Sequence, residues 1–299
     1  MTATLRTDIT AAEGRIRPYL RHTPLLRAEV DGRPLVLKLE HLQRTGSFKL
    51  RGALNALLAG ERPDQVVTAS GGNHGIGVAT AAELLGLPAT VYVPAKVPED
   101  KARRIEAAGA RLIRAGDTYA EAAAAAREAA DAPGARYLEA YDDPTVIAGQ
   151  GTVGSEIVRD APEVDTIAVA VGGGGLAAGI ALAAGGRLTA AVEPEHCNGL
   201  HAAFAAGEPV DAEVDSIAAS ALGATRVGAE PFALLSAHRV RSVLVREAEI
   251  VAARDRLWEE FRLAVEPAGA VAFAAWLAGH VPGELPCVVL CGANSNWTP

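Results

Sequence analysis

Short β-branched runs alternate with alanine-rich helical stretches along most of this chain, and that alternation restricts the fold more than any other feature. Strands are predicted at 35–40 (LVLKLE), 65–70 (QVVTAS), 89–94 (ATVYVP), 110–115 (ARLIRA), 166–171 (TIAVAV), 188–193 (LTAAVE) and 287–292 (CVVLCG). Helices are predicted at about 10–20, 47–59, 74–86, 99–109, 118–131, 144–159, 176–185, 248–264 and 268–279. Strand and helix repeated in this order give βαβ units and a parallel sheet. Thr10 and Glu13 have the spacing of a capping box for the first helix. The tract YAEAAAAAREAADA reads as a surface helix because alanine is the best helix former.

With 49% hydrophobic residues but only 4% aromatics, the interior has to be built from Ala, Val, Leu and Ile, which suits helices packed on a parallel sheet. A length of 299 residues allows one large or two modest domains. Seven strands are enough for two sheets, and no Pro/Gly/Ser-rich linker separates them. The expectation is therefore a small domain, 65–142, inserted into a large one formed by 1–64 and 143–299.

A net charge of −8, with no run of Lys or Arg, argues against nucleic acid or an anionic membrane as the partner and favours small molecules. Cys197, Cys287 and Cys291 are too few for a disulfide framework, which points to a reducing compartment. The N-terminus has no apolar signal core, and no apolar run is long enough to span a bilayer, so the expected location is the cytoplasm.

Four short elements carry chemistry. In SFKLRGALNALL, Ser47 is a candidate N-cap, which places Lys49 in the first turn of a helix where the unpaired amides disfavour a cation. An amine that must be neutral to attack a carbonyl gains from such a place; the alternative is an ordinary surface lysine. In TASGGNHGIGVA, Ser70, Gly71, Gly72 and Asn73 join a strand to a helix and offer donors to a carboxylate, or form a tight turn that holds nothing. His74 is either a helix-start histidine or a substrate contact.

Gly172 to Gly175, between a buried strand and a helix, make a nest of backbone N–H groups suited to phosphate. A dinucleotide reading competes, since Gly173, Gly175 and Ala178 satisfy G-x-G-x-x-A and Glu193 follows 20 residues past Gly173. Finally, CVVLCGANSN ends a buried strand in a polar turn, the kind of edge where ligands of open α/β folds sit; Cys291 there is otherwise a core residue.

Together HLQRTGSFKLRGA (41–53), ASGGNHGIGVA (69–79), GQGTVGSEI (149–157), VGGGGLAAG (171–179), AVEPE (191–195), VEPAGA (265–270) and CGAN (291–294) resemble the fold type II pyridoxal-phosphate enzymes, in particular the serine/threonine dehydratase (threonine ammonia-lyase) group. The resemblance runs nearly end to end. It implies an α/β fold of two doubly wound, mostly parallel sheets, like that of the tryptophan synthase β chain, with pyridoxal 5′-phosphate as cofactor and a homodimeric assembly. Lys49 would bind the cofactor's aldehyde covalently and serve as the catalytic base, Phe48 would flank it, and Gly172, Gly173, Gly174, Gly175 and Leu176 would cradle the phosphate. Asn73 would bond the cofactor's 3′-oxygen, and Cys291 would face the ring nitrogen. Gly223 and Glu266 would line the surroundings, while Ser70, Gly72, Asn73 and His74 would grip the substrate carboxylate.

The implied reaction removes the hydroxyl and amino groups of L-threonine, L-serine or both, giving a 2-oxo acid and ammonium, with the cofactor phosphate as the nearby acid. The alternatives are β-elimination or β-replacement on another 3-substituted amino acid, racemisation, an NAD-type oxidoreductase and a binding protein without catalysis. Gly71 stands where racemases of the group carry serine, which disfavours racemisation. Glu193 and the Cys197 carbonyl match two ligands of the divalent cation that some relatives bind, but Gly199 occupies the third position, so no tight metal site is expected. Ala293 replaces the second glycine of the usual GGN, and with the chain stopping at Pro299 no appended regulatory domain is expected.

Overall fold

The computed structural model describes residues 2–297. In chain order it runs α1 (Thr2–Ile16), β1 (Leu25–Val30), β2 (Arg33–Lys38), α2 (Lys49–Leu58), β3 (Gln65–Ala69), α3 (Asn73–Leu84), β4 (Ala89–Val93), α4 (Glu99–Ala107), β5 (Arg111–Arg114), α5 (Tyr119–Ala129) and β6 (Ala135–Tyr137). It continues through α6 (Pro144–Asp160), β7 (Thr166–Ala170), α7 (Gly175–Ala183), β8 (Leu188–Pro194), α8 (Gly199–Ala206), α9 (Ala219–Leu222), α10 (Ala229–Ser236), β9 (Val240–Val245), α11 (Glu247–Phe261), α12 (Pro267–Leu277) and β10 (Pro286–Val289).

Two sheets result. The larger has the order β1-β2-β10-β7-β8-β9 and is parallel except for the β1–β2 hairpin; the smaller, β5-β4-β3-β6, is parallel throughout. The central strands are buried runs of Val, Ile, Ala and Leu, as a sheet covered on both faces requires. All strands of the small sheet fall between β2 and β7 in sequence, so it is an insertion in the larger sheet's chain.

The strand order reverses direction once in each sheet. In the small sheet the chain builds outward from β3 to β4 and β5, then returns to β3's other side as β6; in the large sheet β10 returns to the free side of β7. Ligands of open α/β sheets bind outside the carboxyl ends of strands at such reversals. The turns that follow β3, β7 and β10 hold Ser70 to Asn73, Gly172 to Gly174, and Cys291 to Asn294, so topology brings three of the four marked elements together.

Helices α2, α6 and α7 pack closely between the layers. A Cβ at Gly149 of α6 would lie 2.7 Å from the Cα of Gly52 in α2, and one at Gly179 of α7 would lie 2.8 Å from the Cα of Gly151 in α6, so bare glycine faces set the spacing. Thr10 and Glu13 do not form a cap: α1 begins at Thr2, both residues lie inside it, and Glu13 instead pairs with Arg159 of α6.

Candidate active site

Lys49 opens α2, but Ser47 does not cap it. The cap position belongs to Phe48, already helical (φ −61°, ψ −18°), while Ser47 forms an antiparallel bridge with Gly292. The chain enters the helix tied to the turn after β10: Phe48 N donates to Cys291 O at 3.2 Å and Ala293 N to Gly46 O at 2.9 Å. Held extended in that pairing, Ser47 keeps its buried hydroxyl from the helix amides, and it has no hydrogen-bond partner among the described residues.

Two residues further on, Arg51 fixes the helix in place. Its guanidinium donates to both oxygens of Glu40 (2.9 and 2.7 Å), both oxygens of Glu156 (2.8 and 2.9 Å) and Thr152 (3.0 Å), while Lys38 donates to Glu156 at 2.5 Å. All four charged groups are buried, and two cations face two carboxylates, so the network is balanced and its donors are used. It anchors the turn that carries Lys49 from the side opposite the ligand pocket.

The Lys49 amine donates to Ala140 O at 3.0 Å and lies 5.2 Å from the centre of the Phe48 ring. Burial pushes its pKa down to about 8. Withdrawal from water, rather than the helix terminus invoked from the sequence, keeps this amine ready to lose its proton.

Asn73 starts α3 and is held on both sides. Its Nδ2 donates to Glu266 Oε1 at 2.7 Å, and its Oδ1 accepts from Asn294 Nδ2 at 2.8 Å, leaving one amide hydrogen to turn toward a ligand. Burial raises Glu266 to about 6. Asn294, which also donates to Thr45 O at 2.7 Å, was missed by sequence reasoning although the CGAN motif ends on it. His74 is buried with Nε2 between Thr68 Oγ1 (3.0 Å) and Leu138 O (3.2 Å), and burial with the nearby Lys49 holds it at about 3, so it is a neutral ring. Ser70 Oγ accepts from Gly72 N at 3.2 Å and shapes the turn.

The quadruple-glycine turn leaves β7 and starts α7, with Gly174 left-handed (φ 94°). A Cβ at Gly172 would come within 2.9 Å of Leu222 Cα, one at Gly174 within 2.8 Å of Pro231 Cβ, and one at Gly173 would overlap the Tyr141 ring. Only bare backbone fits, so amides line the floor. Burial drives the Cys291 thiol far above its usual range, and its Sγ reaches Ala268 O at 3.5 Å, which keeps it neutral.

These side chains fall into two joined spaces. Phe48, Lys49, Asn73, Gly172 to Gly175, Leu176, Glu266 and Cys291 line the inner one. Lys49, Ser70, Gly72, Asn73, His74 and Gly223 line an open cleft beside it, of about 480 Å³. Gly223 thus borders the cleft and not the inner space. Tyr141, Lys49, Asn73, Gly173 and Ala221 line both.

Comparison with known proteins decides the class. A family model described as pyridoxal-phosphate dependent enzyme matches residues 16–292. The chain belongs to that family. The L-threonine ammonia-lyase of Geobacter sulfurreducens is 39% identical over 96% of this chain and 75% of its own length, and that of Thermotoga maritima is 36% identical with the same coverage. Among solved structures, a threonine deaminase from T.th. superposes with a TM-score of 0.92 at 36% identity, covering 98% of this chain and 99% of that one.

The residues present fit the family's cofactor. A partly buried lysine with a lowered pKa stands beside a glycine floor that no Cβ could enter, with an oriented amide and a neutral thiol on the remaining sides. The dinucleotide reading of the glycines falls with the family assignment. Glu193, which that reading needs for a ribose, is buried and accepts from Leu200 N and His201 N (both 2.8 Å) at the start of α8.

Proposed function

We propose that this pyridoxal-phosphate-dependent lyase removes the hydroxyl and amino groups of L-threonine, L-serine or both, giving a 2-oxo acid and ammonium. The observation that carries the reading is Lys49, whose lowered amine projects where the open cleft meets the glycine-floored space. Relatives named as threonine ammonia-lyases, matching 96% of the chain, support it.

When bound, the cofactor supplies the electron sink for the pair released as the Cα–H bond breaks. The chain's own residues divide the remaining work. Gly172 to Gly175 and Leu176 would hold the phosphate; Phe48, Asn73, Glu266 and Cys291 would surround the ring. A neutral Cys291 neither demands nor stabilises a protonated ring nitrogen, which favours early departure of a group from C3. Ser70, Gly72, Asn73 and His74 would receive the substrate carboxylate at the start of α3, where free amides and the helix dipole attract an anion. Lys49 would accept the Cα proton at Nζ and return it in a later step.

Gly71 places no hydroxyl on the opposite side, which sets racemisation aside as the main outcome. The division of the chain into a small domain, 65–142, and a large one, 1–64 with 143–299, follows the two sheets, and we place the protein in the cytoplasm as a homodimer. Sedimentation of the purified protein tests the assembly, a monomer counting against it. An ammonia-release assay across L-threonine, L-serine, their D-isomers and 3-hydroxyaspartate tests the activity. Release from none of them refutes this reading, and release only from the D-isomers reassigns the stereochemistry.

A further inference from the structure

Glu266 is the one carboxyl group lining the inner space, and the reading above gives it no task beyond bordering the ring. It stands at the N-cap of α12, yet its side chain accepts nothing from the amides of that helix. Instead Oε1 reaches 193 residues back along the chain and takes a hydrogen of Asn73 Nδ2 at 2.7 Å. Among the described residues it has no ion pair, and its second oxygen accepts no hydrogen bond. A carboxyl group only 3% exposed that forgoes both a helix cap and a counter-ion costs stability, so its place calls for another reason.

Glu266 and Asn73 are the two residues that border both the inner space and a narrow gap beside the cleft, whose rim carries Lys101, Arg104 and exposed Ser220. Of the pair only Glu266 titrates, and the gap connects it to solvent. Lys101 and Arg104 face it from α4, the neutral Cys291 thiol from the turn after β10, and Lys49 borders the same inner space from α2. Burial outweighs the Asn73 hydrogen bond and the two α4 cations and raises Glu266 to about 6, so its charge changes close to neutral pH.

We propose that Glu266 is a positioning residue for the cofactor: as a carboxylate it fixes the Asn73 amide with its remaining N–H toward the cofactor's 3′-oxygen, and as a carboxylic acid it frees that amide. The proposal rests on the cofactor's placement beside Asn73 given above, and not on the substrate. A carboxylate only accepts, so Asn73 has to present nitrogen to Glu266 and oxygen to Asn294, and one orientation of the amide satisfies both (2.7 and 2.8 Å). Once protonated, Glu266 gains a donor that competes with Asn294 for Asn73 Oδ1, and the charge-assisted bond is lost. Cofactor affinity is therefore highest with Glu266 ionised and falls as pH drops through about 6.

Pyridoxal phosphate is titrated by fluorescence into the full chain freed of cofactor, from about pH 5 to about pH 8, for wild type and Glu266→Gln. Glutamine keeps the shape and cannot titrate, and the cofactor's own ionisations are common to both proteins, so they cancel in the ratio of affinities. Wild type is expected to bind about fivefold more tightly at the upper end of that range, with the ratio approaching one as pH falls through about 6. Lys101→Met removes a cation that lowers Glu266 and leaves the bond to Asn73 intact, so it should move wild type's own loss of affinity to higher pH. That second variant carries the test even where Glu266→Gln does not fold. A ratio that stays constant with pH, or a fall in affinity that Lys101→Met leaves in place or shifts downward, would overturn this proposal alone. Wild-type protein that takes up no pyridoxal phosphate at any pH sinks the cofactor's placement, and the proposal with it.

Discussion

At the scale of single residues, Lys49 gives a signed pH prediction. Its amine is lowered from 10.5 to about 8 by burial, so in the apoprotein the neutral form, the one that attacks an aldehyde, grows about tenfold per pH unit below about 8 and levels off above it. The rate of cofactor capture in stopped-flow absorbance should follow that curve; a rate flat from about pH 6 to 9 would contradict it. Because the unfolded lysine holds its proton to higher pH, stability gains from this group as pH rises between about 8 and 10.5 and is penalised below. Asn294→Ala leaves Asn73 Oδ1 without its donor, a loss of about 1 kcal/mol, so cofactor affinity should drop roughly fivefold without a comparable drop in melting temperature. Gly173→Ala drives a methyl group into the Tyr141 ring and should weaken cofactor binding more than Gly186→Ala, where nothing lies within 4 Å; both affinities can be read by titration.

Among the elements, Arg51 is the test of how α2 is held. Arg51→Met leaves Glu40 and Glu156 buried without their main counter-charge, and the cost expected for breaking a buried pair is about 3–5 kcal/mol. Urea midpoints of wild type and variant measure it. What the sequence made legible here follows burial. Every central strand carried a mostly apolar, buried run and was found. The strands overlooked, β1, β6 and β9, all lie on sheet edges, where one side faces solvent and residues such as Arg27, Glu29 and Arg241 interrupt the pattern. β1 did have a signal, since Asp31 and Gly32 both adopt positive φ in the hairpin turn, and an Asp-Gly pair between two apolar runs marks that turn. Helices α8 and α10, eight residues each, lacked length enough to display a period.

For the whole molecule, the order of motifs along the chain revealed the family, but not how distant turns touch. Lys49, the turn after β3, the glycines after β7 and Cys291 could be named from sequence because each needs a special residue type at a strand or helix end. The partners that hold them, such as Glu266 on Asn73 or Glu156 on Arg51, are separated by more than a hundred residues and became visible only once both sheets were aligned. One such long-range tie runs through the polar turn after β10. Arg104 of α4 donates to Ser295 O (3.3 Å) and Asn296 Oδ1 (3.0 Å), Asn296 donates to Asp100 (2.8 Å), and Trp297 lies under the Arg254 guanidinium of α11 at 4.6 Å. Asn296→Ala and Arg104→Ala together should loosen the small sheet's layer from the large, seen as faster proteolysis around α4.

That same turn carries Asn294 onto Asn73, so mechanical load applied there reaches Asn73 within a few bonds. Anyone attaching an affinity handle, a dye or a surface linker beyond Trp297 should expect its restraint to be felt by the chemistry, whereas a tether on exposed Glu128, at the far end of α5 from the cleft-lining Tyr119, would leave the pocket undisturbed.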